Sequence, residues 1–414
     1  MNDFRLDLSD TATAFAGKSD AELERKYWLF RMMNSPLLTD IGTKSASFGL
    51  SLGLPIKFLI KETVFRQFCG GETIQESERA IRELARANIG TILDYSVEGK
   101  KEERVFEQTK GEILRTVKRA AGDQNLPFSV FKVTGVARFE LLERISQKRE
   151  LAETERVEWN LARNRVQEIC QSAATHNQPI FIDAEESWIQ DAIDGLVREM
   201  MRLFNREKPI VFNTLQMYRH DRLEFLKKSH AEARDEGFRY AVKFVRGAYM
   251  EKERERAEEM NYPSPIQPDK QATDRDYDSA IEYCMENIEE ITFVNATHNE
   301  ESVQLLVRLM KEKNLPNDDS RIHFSQLYGM SDNLSYVLAN KGYNVSKYVP
   351  YGPVKDVLPY LIRRAQENTA VVGQMSRELE MIDQEIKRRK FAKQQPVPAR
   401  NQENENVLPE MRKR

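Results

Sequence analysis

PIFIDAEESWIQDAIDGLVREMMRLFNREKPIVFNTLQ, residues 179–216, is the stretch on which the fold turns. Two short apolar runs, 179–185 and 209–216, flank a segment whose apolar residues recur at helical spacing, with Ile189, Ile193, Leu196 and Met200 on one side. That is a strand, a helix and a strand in about forty residues.

Outward from it the same rhythm recurs. Short β-type runs stand at 91–96 (TILDYS), 128–135 (FSVFKVTG), 240–247 (YAVKFVRG), 291–299 (ITFVNATHN), 322–327 (IHFSQL) and 343–350 (YNVSKYVP). Amphipathic segments such as NEESVQLLVRLMKEKN lie between them. Eight strands alternating with helices predict an α/β chain with a (β/α)8 TIM-like barrel over 91–387; an open doubly wound sheet is the alternative. Residues 1–20 read as a flexible start and 21–90 as a helical region, in which AELERKYWLFRMM sets Leu23, Tyr27, Phe30 and Arg31 near one face. TIQESERAIRELARANIG carries a Thr cap and a closing Gly. Residues 251–277 read as a long polar insertion after the fifth strand, and 388–414, polar and poor in aliphatics, as a disordered tail.

Composition narrows the function. With 63 basic against 66 acidic residues the net charge is −3, which is no footprint for nucleic acid. The scattered Cys69, Cys170 and Cys284 suggest a reducing, cytoplasmic setting without a disulfide framework. Five histidines without HExxH or CxxC argue against a metal site. The polar, acidic N-terminus predicts no leader peptide. The most apolar stretch, FGLSLGLPIKFLI at 48–60, is broken by Pro55 and Lys57 and is shorter than the roughly 20 residues a spanning helix needs. A soluble protein with some surface affinity for an apolar partner is expected.

In such a barrel the C-terminal strand ends build the active site. Lys132 lies in the second strand and Asp183 ends the third. Gln216 ends the fourth, and Lys243, Arg246 and Tyr249 straddle the end of the fifth. Thr297, His298 and Asn299 close the sixth, and Tyr348 lies at the end of the eighth. Singly, each reads as a strand terminus reaching solvent; together they suit a polar ligand with anionic groups. No GxGxxG or GxxxxGK[ST] supplies a phosphate cradle. The residues alone therefore give a barrel enzyme for an anionic small molecule.

YGPVKDVLPYLIRRAQEN, 351–368, is an awkward helix. With Asp356 as N-cap it starts at about Val357, and Pro359 falls at its third position, where a missing amide donor costs little. Tyr360, Arg363, Arg364 and Glu367 then share one face. This is either a surface helix with an Arg363–Glu367 pair, or a pair of guanidinium forks aimed across the mouth at a carboxylate.

KYVPYGPVKDVLPYLIRRAQEN resembles the final strand and helix of the proline dehydrogenases. FKVTG, FIDAEES, NTLQMYRHDR, KFVRGAYMEKER, ATHN and SQLYGMSD agree, as do AFAGKSDAEL, FCGGET and ILDYSVEG of the single-function members. The resemblance covers about residues 10–385 and implies a distorted barrel holding FAD non-covalently at its mouth, with the last helix over the substrate. It implies oxidation of L-proline to 1-pyrroline-5-carboxylate by hydride transfer from C5 to flavin N5. By the same resemblance Arg363 and Arg364 take the proline carboxylate, and Tyr348 and Tyr360 pack on its ring. Lys132 and Asp183 lie near the flavin and substrate, Tyr249 supports them, and Leu327 lines the pocket. Ala184, Gln216, Lys243, Val245, Arg246, Gly247, Thr273, Thr297, His298, Asn299, Ser325 and Glu367 form the implied FAD-contacting set. One departure is that KFVRGAYM stands where RLVKGAYW is familiar, with Phe244 and Met250 changed, which predicts altered flavin packing. The family usually passes its electrons to a membrane quinone. That implies peripheral contact with the inner face of a membrane, with 48–60 as the candidate segment. A downstream pyrroline-5-carboxylate dehydrogenase is a candidate partner. An oxidase of hydroxyproline or another cyclic amine, and a flavin-free scaffold, are the alternatives.

Overall fold

The computed structural model describes residues 5–33, 60–96, 101–370 and 374–394, without the side chains of 364–370, 374–376 and 394. Eight parallel strands close into a barrel in chain order: β1 (Gly90–Tyr95), β2 (Phe128–Lys132), β3 (Ile180–Asp183), β4 (Val211–Gln216), β5 (Tyr240–Val245), β6 (Ile291–Ala296), β7 (Ile322–Leu327) and β8 (Val345–Tyr351). β8 pairs with β1, so the barrel has no free strand edge. The TIM-like barrel is thus the fold, and each predicted apolar run holds one strand.

The runs are apolar because both faces of each strand are covered. Leu93, Phe131, Ile182, Leu215, Phe244, Phe293, Phe324 and Val349 point outward into the main core shared with the surrounding helices. Ile92, Phe128, Val130, Phe181, Phe212, Ala241 and Val294 point inward and fill the barrel. Phe128 stacks on Phe181 at 4.5 Å, and Phe212 meets both edge-on at 5.5 Å. Such pairs add about 0.5–1.5 kcal/mol each beyond the area they bury. The result is an apolar floor beneath the C-terminal strand ends.

The polar segment 251–277 is largely helical. It holds most of a helix, Met250–Glu259, and the start of another, Lys270–Glu286, which Asp269 caps by accepting from the Ala272 amide at 2.7 Å. In Met250–Glu259 only Glu253 and Ala257 are buried, so no apolar stripe marks that helix in the sequence.

The ends also differ from expectation. Leu6 and Leu8 are buried in the main core, and Phe15 and Leu23 pack with Met381 and Ile382. The C-terminal helix, Gln374–Gln394, runs past residue 388, and Arg389 reaches back to Asp20 at 2.9 Å and to the Phe15 carbonyl at 2.8 Å. The chain start thus contacts the C-terminal helix, a pairing across the whole chain that no local pattern encodes. Residues 395–414, and 48–59 of the apolar stretch, lie outside the described residues. Thr73 caps the helix Ile74–Ala85 as predicted, accepting from the Glu76 amide at 3.1 Å. The closing turn is made by Asn88, at φ 55°, and Gly90 begins β1 instead.

Candidate active site

Alternation along the strands places the site. Two residues beyond the inward apolar layer, the same inward faces present Asp94 on β1, Lys132 on β2, Asp183 on β3 and Lys243 on β5. Tyr348 on β8 completes the ring. Asp183 is its hub. One carboxylate oxygen accepts from Lys243 Nζ at 2.5 Å, and the other accepts from the Tyr348 hydroxyl at 2.6 Å and Lys132 Nζ at 3.4 Å. Lys132 also stands 3.7 Å from Asp94, a buried carboxylate that accepts from Ser96 Oγ at 2.5 Å. The Lys243 ammonium lies 4.7 Å from the Phe181 ring centre and 5.2 Å from that of Tyr348.

Burial alone would raise the Asp183 pKa, but the Lys243 and Lys132 charges and the hydrogen bonds from Lys243 and Tyr348 outweigh it, holding the carboxyl below its ordinary value. Burial, with Asp183 and Asp94 beside it, pushes the Tyr348 phenol far up. Asp183 is thus held as the carboxylate and Tyr348 as the neutral phenol.

The wall above β4, β5 and β6 is zipped by the backbone, since the Met217 and Tyr218 amides donate to the Val245 and Arg246 carbonyls, both at 2.8 Å. Gln216 is fixed at both ends of its amide: Nε2 donates to the Glu185 carbonyl at 2.6 Å, and Oε1 accepts from the Ala248 amide at 3.3 Å. Gly247 sits at φ 135°, and a Cβ there would lie 2.6 Å from the Tyr218 ring, so the chain can turn at this point only with glycine. Arg246 lies 4.3 Å over the Tyr277 ring and is bound by Asp274 at 2.7 Å, Thr297 at 2.5 Å and Ser302 at 3.0 Å. His298 stands on the same wall, with Nδ1 2.8 Å from Ser331 Oγ and Nε2 accepting from the Leu327 amide at 3.4 Å. Ala184 is half-buried just past β3, and Ser325 is buried on the inward face of β7.

Two of the predicted site residues also serve their own helices. Asn299 caps the helix Glu300–Glu312, accepting from the Ser302 amide at 3.0 Å, and the Thr273 hydroxyl donates to the Asp269 carbonyl of its own helix at 3.3 Å. Phe244, one of the departures, faces the outer core beside Tyr277 and Phe293, away from the mouth. Met250 opens the helix Met250–Glu259 and is exposed.

The mouth helix spans Val354–Ala370, three residues earlier than the sequence suggested. Asp356 is not its cap, because the Asp356 and Val357 amides already donate to the Pro353 carbonyl at 2.8 and 3.1 Å. Pro359 is consequently inside the helix. Buried Tyr360 belongs to an apolar cluster with Phe68, Met330, Val354 and Val357, against which Leu327 packs. The Arg363 guanidinium lies 5.7 Å from the ring centre of buried Tyr249, so the helix is held to the loop after β5. The side chains of Arg364 and Glu367 lie outside the described residues.

Sequence reading missed Asp94, whose charge within the otherwise apolar TILDY run was the available signal. It also missed Glu185, which accepts from the Thr134 amide at 3.0 Å and so ties the β2 and β3 ends together. Ser331 and the charges behind it had no local signal at all.

The profile of the proline dehydrogenase family matches residues 77–377. The chain is 33% identical to the mitochondrial proline dehydrogenase 1 of Dictyostelium discoideum, over 94% of this chain and 76% of that protein. It is 32% identical to the hydroxyproline dehydrogenase of Xenopus laevis, over 93% of this chain and 91% of that one. Among solved structures, proline utilization A (PutA) of Bdellovibrio bacteriovorus, inactivated by N-propargylglycine, is similar in fold with a TM-score of 0.70 at 19% identity. That match covers 88% of this chain and 38% of PutA, so the chain spans well under half of the larger protein.

Proposed function

This chain belongs to the proline dehydrogenase family, and from that premise we propose that its barrel mouth oxidises L-proline to 1-pyrroline-5-carboxylate with FAD held non-covalently. The observation that carries the reading is the Asp183 hub, in which one buried carboxylate orders Lys243, Lys132 and Tyr348 above an apolar floor. The donor set fits a flavin dinucleotide. Lys132, Lys243, Arg246 and the Gln216 amide offer hydrogen-bond donors to phosphate and ring-carbonyl oxygens without a glycine-rich loop, and the His298 ring, both of whose nitrogens are engaged, offers its flat face beside them. Ala184, Val245, Gly247, Thr297 and Ser325 line the same wall, and Thr273, Asn299 and Glu367 complete the proposed set. When bound, the flavin supplies the acceptor, at N5, for the hydride that leaves proline C5.

The protein's part is binding and electrostatics. Arg363, with Arg364, holds the proline carboxylate, for which a planar multi-donor fork is suited. Tyr360 and Leu327, already in one apolar cluster, form the wall for the pyrrolidine ring, with Tyr348 and Tyr249 beside it. Asp183 is not the base that takes the proline ammonium proton, since its neighbours hold it ionised below the usual carboxylate range. The amine is deprotonated by solvent, so the rate rises with pH until that group is neutral.

Hydroxyproline is the second reading, because a hydroxyproline dehydrogenase is among the relatives. Tyr348 favours proline: its phenol is pinned to Asp183 at 2.6 Å and would crowd a ring hydroxyl. We assign the electrons to a membrane quinone, with peripheral contact at the inner face of a membrane and pyrroline-5-carboxylate dehydrogenase as the consumer of the product. Among the described residues no helix is long and apolar enough to cross a membrane.

The test is the anaerobic visible spectrum of the purified protein before and after L-proline. Flavin bands that bleach with proline support the reading. Flavin that only hydroxyproline bleaches supports the second, and a protein that takes up no FAD overturns both.

A further inference from the structure

The family match begins at residue 77 and ends at 377, yet two charges from outside that span reach the back of the site wall. Lys26, on the N-terminal helix Asp20–Met33, and Glu378, on the C-terminal helix, are both buried and lie 2.9 Å apart. Lys26 also binds Asp332 at 2.9 Å, and Asp332 binds Lys347 of β8 at 3.1 Å. Two ammonium and two carboxylate groups thus balance in an interior where one left alone would be strongly destabilising. Burial lowers the Lys347 pKa, and Asp332 is driven well below the carboxylate range despite its burial, chiefly by Lys26 and Lys347.

The cluster grips one short loop, between β7 and the helix Asp332–Asn340. Lys347 donates to the Met330 carbonyl, and Glu378 accepts from the Ser331 amide at 2.9 Å. Gly329, at φ 79°, sits so close to Gln67 that a Cβ would lie 2.2 Å from its carbonyl oxygen. Ser331 is at φ 48°, a left-handed conformation that a serine keeps only where its surroundings hold it. That conformation turns its hydroxyl toward His298, whose Nδ1 is 2.8 Å away. Because the Leu327 amide donates to Nε2, the His298 proton sits on Nδ1 and is donated to Ser331.

We propose that the terminal helices are positioning elements for the cofactor wall: Glu378 fixes Ser331, and Ser331 fixes the ring plane and tautomer of His298. This rests on the reading that the mouth holds FAD. A purely structural role would only staple the terminal helices to the barrel. Positioning requires in addition that the Ser331 hydroxyl and the acceptor on its amide be felt by the flavin.

The experiment measures FAD dissociation constants by fluorescence quenching on deflavinated full-length protein, together with thermal midpoints of the same samples. Ser331→Ala leaves the four charges intact, so the midpoint falls by only a few degrees, about the cost of one hydrogen bond, while the FAD Kd rises about tenfold. Glu378→Gln keeps an acceptor for the Ser331 amide but breaks the charge balance; the midpoint falls and the Kd stays within about threefold of wild type. Glu378→Met loses both, and combining it with Ser331→Ala weakens FAD no further than the weaker single variant. An unchanged Kd in Ser331→Ala overturns the inference. So does a Kd that Glu378→Gln weakens as much as Glu378→Met. Should Glu378→Met fail to fold, the other two variants decide, because they move opposite readouts. If the wild type itself takes up no FAD, it is the reading of function that fails.

Discussion

At the scale of single residues, Asp183 decides the character of the site. A carboxylate with three donors in an apolar barrel is stable only while its cations are present, and the cations only while it is. Asp183→Asn leaves the Lys243 ammonium buried without its counter-charge and is expected to cost about 3–5 kcal/mol in urea unfolding. Tyr348→Phe removes one donor and no charge, and is expected to cost about 1 kcal/mol while relaxing selection against hydroxyproline. Equal losses in the two variants would mean that the hub is held by packing and not by charge. The depressed Asp183 pKa sets the pH sense. Its contribution is complete above the unfolded carboxylate value of about 3.9 and is lost as pH falls through the lower, folded one.

At the scale of elements, the mouth helix carries an internal strain. Pro359 is the sixth residue of Val354–Ala370, so the Lys355 carbonyl receives no amide from the following turn. The helix tolerates this because Tyr360 and Leu361 on the next turn are buried in the apolar cluster beside the mouth. Pro359→Ala restores the amide and is expected to stabilise the fold by about 1–3 kcal/mol. Regularising the turn beneath Arg363 is expected to raise the KM for proline at the same time. A stabilised variant with unchanged KM would separate the proline from substrate binding. The opposite device stands after β5, where Gly247 allows a turn no side chain fits, so Gly247→Ala should lower the thermal midpoint and FAD retention together.

At the scale of the whole molecule, stability depends on groups far from the mouth. His323 lies inside the barrel, edge-on to Phe128 at 4.9 Å and 2.7 Å from Ser346 Oγ, and burial lowers its pKa to about 3. The unfolded chain therefore binds a proton near pH 6.5 that the folded one refuses. His323 is fully accommodated above that value, and stability falls as pH drops from about 6.5 towards 3, by up to roughly 1.4 kcal/mol per unit. His230 is shifted the same way, chiefly by burial. His323→Asn should flatten the dependence of the urea midpoint on pH by about one proton, and an unchanged slope would show that other groups govern acid unfolding.

The sequence by itself determined the eight strands and their alternation with helices, because apolar runs and helical spacing are local properties of the chain. Lys132, Asp183, Lys243 and Tyr348 were legible for the same reason, each being a polar residue at the end of an apolar run. Only the tertiary structure decided that Asp183 binds three partners from three strands. It alone brought Arg389 to Asp20 and the Phe15 carbonyl, and joined Lys26 to Glu378 behind Ser331. The Asp183 hub and the pairing of the chain ends depend on contacts from 51 to 374 residues apart in sequence, where burial and charge pairing are settled by closure of the barrel and not by any local preference.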